Sequence, residues 1–223
     1  DTTAFEVRNL TADELALFEE EEEPIVPEVA NFADDFEDAT ASAAKWRLCG
    51  DKSSMNFADG KLAFAASTNV KAVAGSENWT DYVAEVTLNL QSARSNNVGL
   101  MYRVTDVSEN GSDNYYGYYV GIGKSGTSCM ILGYGANGWH QMKTIPHEFE
   151  VGVDYRIKVV LSGDRIAIYL DDNLMSVFYD DLYDHGMIGL RGYGEAFTAD
   201  DIVVRPVTDE DLKVFDGLKR YVD

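Results

Sequence analysis

Cationic residues are scarce in this 223-residue chain: 18 Lys and Arg stand against 39 Asp and Glu, a formal charge of −21. Phosphate recognition rests on clustered Lys and Arg, so nucleic acid and anionic membrane surfaces are not expected as partners. Histidine is scarcer still. His140, His147 and His185 fall at no metal-ligand spacing, and no Gly-x-Ser-x-Gly elbow occurs. No apolar run reaches the roughly 18 residues of a membrane-spanning helix. The two cysteines, Cys49 and Cys129, also lack metal-type spacing; two free thiols is the plainer reading, and one disulfide stays open. The sequence begins at Asp1 with no signal peptide, and is expected to be a piece excised from something larger.

What is present is enough apolar material for a core. Hydrophobic residues make up 45% and charged residues 26%, and the length suits one substantial all-β domain. Three parts are expected. Residues 1–30 carry a capping-box spacing at Thr11 and Glu14, then an acidic run from Glu19 to Glu23 stopped by Pro24; they read as an acidic linker or terminal segment. Residues 31–207 read as a β-domain. Residues 208–223 begin with a second capping box, Thr208 and Asp211. A C-terminal helix with a stripe of Leu212, Phe215, Leu218 and Val222 is expected to follow.

Within the central part, ten strands are legible: "DYVAEVTLNL", "VGLMYRV", "YYGYYVGI", "SCMILGYG", "QMKTI", "DYRIKVVLSG", "RIAIYLDD", "MSVFYDD", "GMIGLRGYG" and "ADDIVVRP". Gly, Asn and Asp turn signals separate them, and no helix-period segment is read there. Many short strands at near-regular spacing predict a two-sheet antiparallel β-sandwich of jelly-roll type. "GIGKSG" and "GYGANG" follow strands without opening helices, so they read as turns rather than phosphate cradles.

Alternation separates the faces of each strand. One face takes Val98, Leu100, Tyr102 and Val104, with Arg103 opposite; another takes Ile188 and Leu190, with Met187, Arg191 and Tyr193 opposite. An arginine on a non-core face is ordinarily a surface residue with its stem on the sheet. Two such arginines among tyrosines, above the glycines Gly117 and Gly121, point instead to a binding face. The guanidinium is a rigid fork for hydroxyls or carboxylates, and an aromatic ring offers a plane to the C–H face of a sugar. The glycines are expected to let a ligand approach the backbone.

The pieces "FADDFED", "NWTDYVAEVTLNL", "NNVGLMYRV", "NYYGYYVGI" and "GMIGLRGYGEAFTADDIVV" resemble the concanavalin A-like lectin/glucanase superfamily over residues 32 to about 206. Within it the likeness is greatest to the family-66 type of carbohydrate-binding module, and laminin G-like and 3-keto-disaccharide hydrolase-type domains share the pattern. The resemblance implies a non-catalytic module that binds a polysaccharide, with fructans favoured, beside the catalytic domain of a secreted bacterial glycoside hydrolase. An extracellular or cell-surface location follows from it. The implied ligand-binding residues are Arg103, Tyr115, Tyr119, Trp139, Arg191, Tyr193 and Glu195, with Asp113, Asn114 and His140 on the rim. First and last strands are usually neighbours in that superfamily. Carboxylates from "ADDFED" and "ADDIVV" are therefore candidates for a structural Ca²⁺, with Asp35, Glu37 and Asp201 as ligands.

Two alternatives stay open. One is a structural or interaction domain supporting a neighbouring catalytic domain. The other is a glycoside-hydrolase-type enzyme acting on disaccharides. Against the latter, the paired carboxylates Glu148 and Glu150 sit where a loop meets a strand, and no acid occurs at position 151 to complete a glucanase pattern. The chain is expected not to be an enzyme.

Overall fold

The computed structural model describes Thr11 and residues 25–92, 96–125 and 127–218. In chain order they form β1 (Phe32–Asp34), α1 (Ala39–Lys45), β2 (Arg47–Gly50), β3 (Met55–Ala58), β4 (Lys61–Phe64) and β5 (Val70–Ala74). Longer strands follow: β6 (Tyr82–Leu90), β7 (Asn97–Thr105), β8 (Tyr116–Ser125), β9 (Thr127–Ala136) and β10 (Trp139–Pro146). The last are β11 (Asp154–Ser162), β12 (Arg165–Leu170), β13 (Asn173–Tyr179), β14 (Met187–Tyr193), β15 (Phe197–Arg205) and a single turn, α2 (Asp209–Leu212). One sheet runs β13-β12-β11-β6-β15-β4-β3 with β1 added to β15, and the other runs β10-β9-β8-β7-β14-β5-β2. All the pairings between these strands are antiparallel. The β-sandwich read from the sequence is the fold.

The ten strands legible in the sequence are β6 to β15. Their inward residues meet in one core: Tyr82, Ala84, Val86 and Leu88 of β6 face Val98, Leu100 and Tyr102 of β7, with Ile157, Val159, Ile188 and Leu190 among them. Phe64 stacks on Phe197 at 4.2 Å and Tyr102 on Tyr118 at 5.4 Å. Each large apolar side chain so buried contributes about 1.5–3 kcal/mol before the cost of ordering the chain.

Three expectations need correction. First, a helix does occur inside the β-rich part. Asp38 caps α1 by accepting from the amides of Thr40 and Ala41, both at 3.0 Å. The sequence ATASAAK is helix-favouring, but only Ser42 is buried, so no apolar stripe announces it. Second, Val104 does not share a face with Tyr102. A bulge between Tyr102 and Thr105, with Arg103 at φ +51°, turns Val104 to the outer cluster with Met101 and Tyr119. Third, among the described residues the C-terminal helix is only the turn α2 followed by a 3₁₀ turn, Lys213–Phe215. Its Thr208–Asp211 capping box is present, and Phe215 is buried against Val83, Val160 and Ala167 on the outer face of the first sheet. Gly217, at φ +77°, takes the chain out of the turn. Val222, Glu14 and the acidic run Glu19 to Glu23 lie outside the described residues. Cys49 and Cys129 are both buried free thiols.

The first and last strands are neighbours, because β1 pairs with β15. Asp34, at the end of β1 and 4% exposed, ties this corner together. It accepts from Ser42 Oγ at 2.8 Å, Trp46 Nε1 at 2.9 Å, Lys45 Nζ at 3.2 Å and the Phe36 amide at 3.2 Å. Replacing Asp34 by Ala would strand the buried Trp46 and Ser42 donors at a cost of about 3 kcal/mol. Thermal unfolding of Asp34→Ala is expected roughly 6–12 °C below the wild type. A midpoint unchanged within error would show that the corner does not depend on this carboxylate.

Candidate functional site

On the outer face of the second sheet, away from the core, β14 places Arg191 between Lys71 of β5 and Gly99 of β7. Glycine continues the row at Gly121 of β8. Such a row leaves room for flat rings, and the protein fills it with its own. A Cβ at Gly121 would stand 2.2 Å from the Tyr119 hydroxyl, and one at Gly133 would stand 2.4 Å from the Trp139 ring. The glycine floor expected to admit a ligand is therefore occupied at Gly121 by Tyr119. A Cβ at Gly117 would stand 2.6 Å from the Arg103 carbonyl oxygen.

The rings frame Arg191, which is 2% exposed. Its guanidinium carbon lies 4.9 Å from the Tyr119 ring centre, 5.1 Å from Trp139 and 5.6 Å from Tyr193. Tyr119 and Trp139 meet edge to face at 5.4 Å. Nη1 donates to Asn97 Oδ1 at 2.7 Å, which also accepts from the Tyr119 hydroxyl at 2.7 Å. Nη2 is in ion-pair contact with Asp113, on the loop between β7 and β8. That contact is not aligned as a hydrogen bond. Arg191 Nε, Asp113 Oδ1 and the Tyr115 hydroxyl are all buried with no hydrogen-bond partner among the described residues. Asn96, Asn97, Asp113, Trp139, Arg191 and Tyr193 line an open cleft of about 270 Å³ here.

Of the residues carried over from the resemblance, Trp139, Arg191 and Tyr193 line this cleft, and Tyr119 is the buried ring beneath it. Tyr115 is also buried below the surface, its ring against Gly135. Glu195 is 1% exposed and takes a hydrogen bond from Ser92, away from the cleft lining. His140 stacks on Tyr134 at 4.8 Å, on the inward side of its strand pair. Arg103 is elsewhere. The bulge in β7 carries its side chain inward, where Nε donates to the Thr80 carbonyl and Nη1 to the Tyr183 carbonyl, both at 3.1 Å. Nη2 reaches Asp81 at 3.4 Å. Asn96 and Asn97 were not read as site residues; the available signal was their position at the start of β7, where Asn97 pairs with Tyr193.

Residues 33–35 and 201–203 line a second hollow, of about 230 Å³, together with Lys45. Asp35 and Asp201 share it, whereas Glu37 stands beside Gly60. Calcium needs six to eight oxygens. Among the described residues no three His, Cys, Asp or Glu side chains gather around one point. A cation is already there, since Lys45 Nζ bonds Asp34 and, at 2.9 Å, the Ala33 carbonyl. The residues present do not fit a calcium site. Glu148 and Glu150 are exposed on either side of buried Phe149, in the manner of a solvated loop. "GYGANG" forms the β9–β10 turn, and "GIGKSG" runs along the end of β8 to Ser125, with Gly126 outside the described residues.

Burial raises the phenol pKa of Tyr82, Tyr102, Tyr115 and Tyr119 above the tyrosine range. Each stays neutral in the fold but ionises near pH 10 once unfolded. The stabilisation tied to the neutral form is complete below about pH 10 and is lost as pH rises beyond it. Ultraviolet titration should therefore lack these phenolates near pH 10–11, and the denaturant midpoint should fall with rising pH from about 10 upward. Full ionisation near pH 10 in a still-folded sample would contradict the burial described above.

Comparison with known proteins agrees with this architecture. The carbohydrate-binding module CBM66 of Bacillus subtilis superposes with a TM-score of 0.62 at 18% identity, covering 72% of this chain and 95% of that one. The β-glucanase of Bacillus licheniformis gives 0.61 at 10% identity, covering 80% and 98%. The GH43 BlXynB protein of Bacillus licheniformis gives 0.58 at 16% identity, covering 78% of this chain but only 39% of that one. No curated protein sequence matches the chain. At these identities the likeness is one of fold, the concanavalin A-like sandwich. A family model, described as a 3-keto-alpha-glucoside-1,2-lyase-like domain, matches residues 32–205. The match takes in the whole sandwich from β1 to β15, and the chain belongs to that family.

Proposed function

We propose that the Arg191 cleft binds carbohydrate and that the domain is a non-catalytic glycan-binding module. The observation that carries this reading is the guanidinium of Arg191, walled by Trp139 and Tyr193, with the polar Asn96, Asn97 and Asp113 lining the same open cleft. Sugar hydroxyls both donate and accept, and the cleft-lining Asn96, Asn97, Asp113 and Arg191 present them with both acceptors and donors. The rings supply apolar planes for the C–H faces. At about 270 Å³ the cleft lies just below the usual ligand-pocket range of roughly 300–1,000 Å³, which suits a short stretch of glycan. Fructans are the first class to test, in keeping with the likeness to CBM66. The match to a 39% portion of BlXynB supports a module attached to a larger, secreted glycan-degrading protein. There it would act by retention, raising the local concentration of polysaccharide near a catalytic domain. Affinity for one site is modest, because sugar and protein exchange hydrogen bonds with water at small net gain.

The family description favours a second reading, a lyase acting on 3-keto-α-glucosides. A 3-keto group acidifies the C2–H, and elimination across C1–C2 needs a base for that proton and an acid for the departing oxygen. Among the described residues Asp113 is the one carboxylate lining the cleft, it is engaged with Arg191, and no His or Lys lines the cleft beside it. The cleft supports binding better than turnover.

Affinity electrophoresis or calorimetry against levan, inulin, arabinan and xylan tests the proposal. Wild type is expected to bind at least one of them. Trp139→Ala and Tyr193→Ala should each weaken binding by about tenfold or more, the effect of losing a stacking plane. Arg103→Met should lower the melting temperature while its folded fraction binds as wild type does. No glycan bound by folded wild type, or binding untouched by both aromatic replacements, would overturn the assignment. Release of an aglycone from a 3-keto-α-glucoside would move it to the lyase.

A further inference from the structure

We infer that Asp113 is the residue that sets the charge preference of the cleft, restricting it to uncharged sugars and excluding hexuronates. This deepens the carbohydrate reading and rests on it. An isolated buried arginine would be an anion site, because its fork matches a carboxylate with two parallel N–H bonds. Here the fork is taken. Nη1 is held by Asn97 at 2.7 Å and Nη2 by Asp113. Since Nη2 belongs to both donor edges of the guanidinium, a carboxylate on it blocks bidentate approach from either side. The Nε–H is itself buried, with no hydrogen-bond partner among the described residues, so it offers no second N–H for a ligand carboxylate to grip.

Asp113 is delivered by a loop that is fastened down, so it cannot simply step aside. Ser112 Oγ donates to the Thr68 carbonyl at 2.8 Å or the Gly192 carbonyl at 3.1 Å, and accepts from the Val70 amide at 3.2 Å. One residue earlier, the Gly111 carbonyl accepts from the buried Lys71 ammonium at 2.5 Å and its amide donates to Asn69 Oδ1 at 2.6 Å. Among the described residues, the cleft lining then carries one positive and one negative charge, Arg191 and Asp113, in contact. A ligand carboxylate entering it must approach Asp113, and a chain of net charge −21 adds to that repulsion. A hydroxyl carries no such penalty, and it can donate to the Asp113 carboxylate that lines the cleft. The carboxylate thus discriminates by repulsion as well as by occupying the fork.

A glycan array with matched hexose and hexuronate termini, read for wild type and Asp113→Asn alongside melting curves, tests this. Wild type should retain hexose-ended glycans and leave their hexuronate counterparts unbound. Asp113→Asn leaves Arg191 uncompensated, and should gain hexuronate binding by about tenfold or more. Wild type holding hexuronates as tightly as hexoses overturns the inference while leaving the carbohydrate reading intact, and it decides the matter even if the variant fails to fold. A folded Asp113→Asn that gains no hexuronate binding overturns it as well. Wild type that retains neither class removes the carbohydrate reading, and the inference falls with it.

Discussion

Burying one guanidinium organises the working face of this molecule. Arg191 sits in mid-strand on β14 at 2% exposure, where an unpaired charge would be severely unfavourable. The neighbouring strands and one loop are arranged around that requirement. Asn97 from β7 and Asp113 from the β7–β8 loop take the two Nη groups, and Tyr119, Trp139 and Tyr193 surround the plane. Glycines at 99, 121 and 133 are the counterpart of those rings, since side chains there would occupy the same space as Tyr119 and Trp139.

The same logic of satisfied charge closes the other end of the chain's path. Asp34 holds the Trp46 indole, the Ser42 hydroxyl and the Lys45 ammonium where β1 joins β15, and Arg205 takes Asp211 through two bonds of 2.7 and 2.8 Å where α2 leaves β15. Between these fastenings lies the apolar core of the sandwich, packed between the two sheets. The division matters for function. The core between the sheets supplies rigidity, and the cleft is built on the sheet face that the core does not need.

Much of this was legible in the residues. β6 to β15 are long enough for period-2 alternation to declare both strand and inward face, which is why Ile188 and Leu190 went in and Arg191 and Tyr193 went out as read. β1 to β5 are three to five residues long, too short for a period to emerge, and β5 is buried on both faces so it shows no alternation at all. The helix α1 escaped because it buries almost nothing. Arg103 illustrates the limit most sharply. Alternation puts it outside with Arg191, and one extra residue in β7 reverses it. A bulge leaves no mark that counting by twos can detect.

The sequence alone therefore determined the class of fold, the core faces of the long strands and the pairing of an exposed-face arginine with aromatics. Each of these follows from local spacing, because a strand's side chains alternate wherever the strand lies. Only the tertiary structure decided which arginine has a cleft. That choice depends on a bulge, on strand order, and on a loop held by Ser112 and Lys71 that brings Asp113 to β14 from far along the chain. Contacts between residues distant in sequence are set by how the sheets assemble, and local pattern carries no record of them.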